Sequence, residues 1–165
     1  MINSLLNWFR DRRELKTLAK NRANAPTTLD EAVDRMISQM SKEDVEDFIR
    51  QGADCPGAHY HHGHGTWLRN NWDLWGNESP LSKWFYANGI WHGDDRSTTI
   101  YKALYCRLTN TPFDIKSEAA HYEKFWRESA CLGFDGVEIP GCKRPTRMTV
   151  NIDEDGKHTR EYHYD

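Results

Sequence analysis

At 165 residues the chain is long enough for one domain with a true interior and too short for two of full size. Charged residues make up 28% of it and the formal net charge is -3, so no basic excess exists to neutralise a phosphate backbone, which disfavours nucleic acid as a partner. No run approaches the roughly 20 apolar residues that cross a bilayer, and no small-residue cleavage site follows the charged amino terminus; a cytoplasmic protein with no membrane partner is expected.

Residues Ile2 to about Lys20 read as a helix with Ile2, Leu5, Leu6 and Phe9 at helical spacing, an arm that can serve homo-oligomerisation through its apolar face. Pro26 and the residue before it interrupt that pattern. Thr28 and Glu31 then form a T-x-x-E capping box ahead of Val33, Met36, Ile37 and Met40, which share one face. Ser41 restarts a helix with S-x-x-D before Val45, Phe48 and Ile49, and Gly52 stops it.

The stretch "HYHHGHGTWLRNNWDLWG", His59 to Gly76, leads from a loop into a helix expected around Thr66 to Trp75. On a helical wheel Trp67, Leu68, Trp72, Leu74 and Trp75 fall on one arc, with Arg69, Asn70 and Asp73 opposite. The expectation is that the indoles are core, closed over by the histidine loop, and that this accounts for the seven tryptophans.

Ser79 and Pro80 mark the next helix start, ahead of Leu81, Trp84 and Phe85, with Gly89 at its end. A further helix begins with Asp94 or Asp95 as cap and carries Ile100, Ala103, Leu104 and Leu108 inward, and another covers Ser117 to Ser129. The tail "RMTVNIDEDGKHTREYHY" alternates with a period of two around Asp155-Gly156, a hairpin signal. The fold class expected is therefore mainly α: an N-terminal helical arm over 1–25, a helical core domain over 26–130, and a loop with a C-terminal β-hairpin over 131–165.

Several groups of residues carry candidate chemistry. Cys55, His59, His61, His62 and His64 are ligand types that suit zinc, but they crowd one loop without a second ligand pair, so no cofactor is expected and surface histidines are the preferred reading. His61 or His92 with Asp94 or Asp95 offers a base and an orienting carboxylate. The aspartates are equally explained as caps at a helix start, and no nucleophile elbow, phosphate loop or paired-carboxylate motif accompanies them, so no catalytic residue is assigned. Arg69 either pairs with Asp73 at i, i+4 or, buried beneath the histidine loop, ties Asp94 or Asp95 to the tryptophan helix; the second is preferred. Gly63 and Gly65 point to close backbone approach. Cys131 and Cys142 flank the turn "LGFDGVEIPG" and, with Cys55 and Cys106, lack C-x-x-C spacing; all are expected as free thiols.

The residues His61, Gly63, Gly65, Trp67, Arg69, Asn70, Leu74 and Trp75, followed by Gly89, Ile90, His92, Asp94 and Asp95, resemble the pattern of an uncharacterised domain of small bacterial and phage proteins. Gly93 stands where that family has proline, and His62 and His64 where apolar residues are usual. The resemblance covers Thr28 to Leu108 and implies a mainly helical fold without supplying an activity. The polar cluster to test is His61, Arg69, Asn70, His92, Asp94 and Asp95. The expected function is a small interaction protein, phage-encoded and acting in the host cytoplasm, that binds and inhibits a host protein such as a defence factor. An immunity protein that neutralises a toxin would be the same kind of binder. The alternative is a metal-dependent hydrolase built from the His59–His64 loop with His92, Asp94 and Asp95.

Overall fold

The computed structural model describes residues 14–52, 60–153 and 158–165. The described chain is mainly helical and ends in a two-stranded antiparallel hairpin. Its described residues divide into two compact units, those up to 87 with 91–113 and those of 88–90 with the residues from 114 onward.

The first unit opens with α1, helical over 14–23. Its end is tied down: Asn21 Nδ2 donates to Asn71 Oδ1 at 2.5 Å, Arg22 Nε donates to the Asn70 carbonyl at 3.1 Å, and Arg22 pairs with Asp73 at 3.3 Å. The apolar residues Ile2, Leu5, Leu6 and Phe9, and with them the expected self-association face, lie outside the described residues.

Helix α2 (Leu29–Gln39) is capped by Thr28, whose hydroxyl accepts from the Glu31 N–H. Glu31 returns its carboxylate to Thr27 N and Oγ1, one residue upstream of the expected box. Of the expected face Val33 and Met36 are buried, together with Leu29 and Ala32, while Ile37 and Met40 are half-buried. Helix α3 (Lys42–Arg50) has the full reciprocal box between Ser41 and Asp44 and buries Phe48; Gly52 leaves it at φ 81°, a conformation that favours glycine.

Helix α4 (His64–Asn71) is shorter than the periodicity suggests. Asp73 adopts φ 55°, and the chain leaves the helix before Leu74 and Trp75. The wheel argument therefore fails beyond Asn71, and with it the expectation of a shared indole interior: Trp72 is buried, whereas Trp67 is 44% and Trp75 52% exposed. Arg69, opposite the tryptophans on the same wheel, is 4% exposed, buried as the preferred tie to the aspartates requires.

Ser79 Oγ accepts from Ser82 N at the start of α5 (Pro80–Ala87), which buries Leu81 and Phe85. Helix α6 (Gly93–Thr109) is the spine of the unit, packing against α2, α3 and α4. It buries Ile100, Tyr101, Ala103 and Leu104 and also the polar Asp95, Arg96, Ser97 and Thr99. Its cap is His92, not Asp94 or Asp95: the imidazole Nδ1 accepts from Asp94 N at 3.3 Å. Arg107 near its end pairs with Asp30 at 2.6 Å and Asp34 at 2.8 Å on α2.

The second unit holds α7 (Ile115–Ala130), capped by Asp114, and the hairpin of β1 (Arg147–Ile152) and β2 (His158–His163). The register runs from Arg147 opposite His163 to Ile152 opposite His158; Asp155 and Gly156 of the expected turn lie outside the described residues. The Arg160 guanidinium lies over the Phe125 ring at 5.1 Å. Cys131 and Cys142 are not free thiols but a disulfide. The intervening loop folds back through Gly133 N to Val137 O and Ile139 N to Cys131 O, both 2.8 Å, which brings the two Cα atoms to 5.6 Å, within bonding reach. Scattered spacing along the sequence carries no information on that return. Cys106 is a free cysteine among the described residues.

Candidate functional site

Arg69 organises the most elaborate polar cluster of the first unit. Helix α4 delivers its side chain inward because Gly65, one turn earlier, leaves room: a Cβ there would stand 2.7 Å from the Tyr60 carbonyl oxygen and 3.2 Å from the Arg69 guanidinium. The guanidinium donates to three neighbours and ion-pairs with a fourth. Nη1 donates to Ser97 Oγ at 3.0 Å, Nη2 to the His61 carbonyl at 2.9 Å and to Thr66 Oγ1 at 3.1 Å, and Nε faces Asp94 Oδ1 at 3.1 Å. Its plane also approaches the Trp75 ring, 5.4 Å from the centroid. A guanidinium removed from water needs this density of partners, and one cation thereby links the histidine loop, α4 and the start of α6.

Two imidazoles flank the same carboxylate. His61 Nε2 lies 3.8 Å from Asp94 Oδ1 and His92 Nδ1 3.8 Å from Oδ2, with all three side chains about a third exposed or less. Burial holds the His92 pKa below the ordinary imidazole value; Asp94 opposes this and the guanidiniums of Arg96 and Arg69 add to it. A neutral His92 is what its capping role requires, since Nδ1 must keep a lone pair for the Asp94 N–H. Trp75 packs edge-on to His92 with centroids 5.8 Å apart, and Gly93 sits beneath the indole, where a Cβ would meet Trp75 Cε3 at 2.6 Å. Glycine at position 93 therefore serves the seating of Trp75.

Of the expected cluster, His61, Arg69, His92 and Asp94 converge. Asn70 does not: it is exposed and contributes its backbone carbonyl to Arg22. Asp95 is buried on another side of α6, near Arg96. Of the expected metal ligands, Cys55 and His59 lie outside the described residues, and His64 turns to Tyr101, its Nδ1 2.9 Å from the phenol oxygen. His62 is exposed and stacks edge-on with His61 at 4.7 Å. Among the described residues no three histidine, cysteine or carboxylate side chains form a group able to hold a metal ion.

Arg96 is the residue that sequence reasoning missed. It is fully buried, donating from Nη1 to the carbonyls of Leu74 at 2.9 Å and Gly76 at 2.5 Å and from Nη2 to Asn77 Oδ1 at 2.6 Å. Burial lowers its pKa to about 10, against the pull of Asp73 and Asp95, so it stays charged at neutral pH. Nothing in its local sequence marks it, and only the loop it grips reveals its role.

The family model described as Domain of unknown function (DUF6794) matches residues 25–108, a span that contains every member of the Arg69 cluster and ends before α7 and the hairpin. No curated protein and no solved structure matches the chain. With just over half of its length matched, the chain belongs to the DUF6794 family.

Proposed function

We propose that the chain is a binding protein that presents the imidazole–indole surface around Trp75 to a protein partner. The supporting observation is Trp75 itself, 52% exposed yet seated on Gly93, His92 and the Arg69 guanidinium. Large rigid aromatics on ordered supports are the residues that dominate interface energetics. A host protein such as a defence factor, blocked by a phage-encoded inhibitor, is the partner class to test first, a choice that rests on small size, acidic balance and the lack of a catalytic motif. Trp75→Ala should abolish a complex formed by the wild type while leaving the urea unfolding midpoint nearly unchanged; a variant that binds its partner as well as the wild type would overturn the reading.

A second reading, a metal-dependent hydrolase, draws support from the convergence of His61 and His92 on Asp94. Against it, His92 Nδ1 is engaged by a backbone N–H and Asp94 Oδ1 by Arg69. Stoichiometric zinc in untagged protein, with a hydrolytic activity lost in His61→Ala and His92→Ala, would establish this reading in place of the first.

A further inference from the structure

A second recess of the same unit owes nothing to Trp75. Between α2, α3 and α6 lies a cavity of about 410 Å³, within the roughly 300–1,000 Å³ range of small-molecule sites. Its floor is apolar and buried: Met36 from α2, Phe48 from α3, and Tyr101 and Leu104 from α6. Phe48, Tyr60 and Tyr101 form one aromatic group with centroid separations of 5.7, 5.2 and 6.4 Å, so π-faces and edges, not aliphatic chains, make up much of the wall.

The charge of the lining has one sign. Asp44 and Asp47 line the cavity, and no lysine or arginine does so among the described residues. Hydrogen bonds from Ser41 hold the Asp44 pKa below its usual value, so this carboxylate remains ionised. His64, partly shielded between Trp67 and Tyr101, has a lowered pKa and is neutral at neutral pH, and burial raises that of the Tyr101 phenol, which keeps its proton. Arg50 pairs with Asp47 at 2.9 Å but is not part of the lining. Aromatic quadrupoles and an ionised carboxylate both favour a cation, while the buried floor demands an apolar body. Met36 and Met40 give the walls room to adapt to such a body.

We propose that this cavity is a binding site for a small organic ammonium ion carrying an apolar group. The probe is benzyltrimethylammonium, titrated into the full chain while the methionine methyl resonances are followed by NMR; its neutral counterpart is benzyl alcohol and its anionic one phenylmethanesulfonate. Saturable shifts at Met36 and Met40, with Met148 of the hairpin unmoved, are expected for the cation, with affinity roughly tenfold above either counterpart. Asp44→Asn, which keeps an oxygen acceptor for Ser41, should weaken the cation several-fold and leave benzyl alcohol unaffected, and so should Asp47→Asn, which also releases Arg50. Both residues are exposed, so the variants should keep their fold, checked by circular dichroism. Equal affinity for the three probes, shifts that miss Met36 and Met40, or no saturable shift at all would overturn the proposal. Tighter binding of a trimethyllysine peptide than of the free ammonium would overturn its commitment to a small molecule. The Trp75→Ala variant should bind the probe like the wild type, which keeps this result separate from the partner reading.

Discussion

Arg69 donates to Ser97, Thr66 and the His61 carbonyl and pairs with Asp94, so truncation leaves several acceptors of the cluster without a partner at once. Arg69→Met should cost about 2–4 kcal/mol in urea unfolding, below the full penalty of a wholly buried pair because Asp94 is a third exposed. Arg69→Lys should recover only part of this, since an ammonium cannot reproduce the fork. The two close-approach glycines should separate stability from surface. Gly65→Ala drives a Cβ against the Tyr60 backbone, which cannot swing aside, and should cost about 1–3 kcal/mol. Gly93→Ala meets the exposed Trp75 side chain first, ahead of any backbone, so it should cost less stability while pushing the held ring off its seat and shifting the indole fluorescence.

His92 adds a pH dependence with a definite sign. Its pKa is lowered on folding, so the unfolded chain binds the proton more readily; the cap's contribution is present above the unfolded value of about 6.5 and is lost as pH falls through the lower folded value. His64 acts in the same sense. Stability should therefore fall between pH 6.5 and the carboxylate range near 4, and His92→Asn, which caps without titrating, should flatten that slope in unfolding midpoints measured against pH.

Among the elements, most helix starts were legible because capping is local: Thr28, Ser41 and Ser79 announce their helices in the residues that follow. Ser41→Ala should accordingly cost about 1 kcal/mol. The centres of the inward faces of α2, α5 and α6 follow from spacing for the same reason, while Ile37, Met40, Trp84 and Leu108 at their margins stay half-buried. What was not legible depended on distant residues. The early end of α4 is tied to Asp73, whose left-handed backbone any helical wheel ignores, so the wheel places Trp75 in the interior; Trp67 lies within the helix and is nonetheless 44% exposed. His92 as a cap was hidden behind two better-known capping residues. The Arg69–Asp94 tie is the preferred reading because the histidine loop and the aspartate pair occur together in the resemblance, whereas Arg96 gives no such sign: two of the partners it donates to are backbone carbonyls, which every sequence has.

For the whole molecule, the described part has a helical unit with a continuous core and a second unit in which α7 and a two-stranded hairpin are joined by the disulfide-closed loop. A hairpin of two strands is marginal alone, and Met148, Val150 and Ile152 of β1 are all substantially exposed. The cross-link should matter correspondingly: replacing Cys131 and Cys142 together by serine should destabilise the chain by about 2–3 kcal/mol, read as a lowered guanidinium midpoint in circular dichroism. The bond also bears on where the chain resides, because such bonds persist in oxidising compartments and the expectation of free thiols came from a cytoplasmic assignment. Among the described residues no helix is long and apolar enough to cross a membrane.

Arg96 holds the carbonyls of Leu74 and Gly76, the residues immediately before and after Trp75. Gripped on both flanks, that indole has little wandering left to surrender when something docks on it. Its readiness is a property of a side chain no visitor touches, and Arg96→Lys should slacken the grip and lower affinity by an entropic route, visible in calorimetry, with every docking atom still in place.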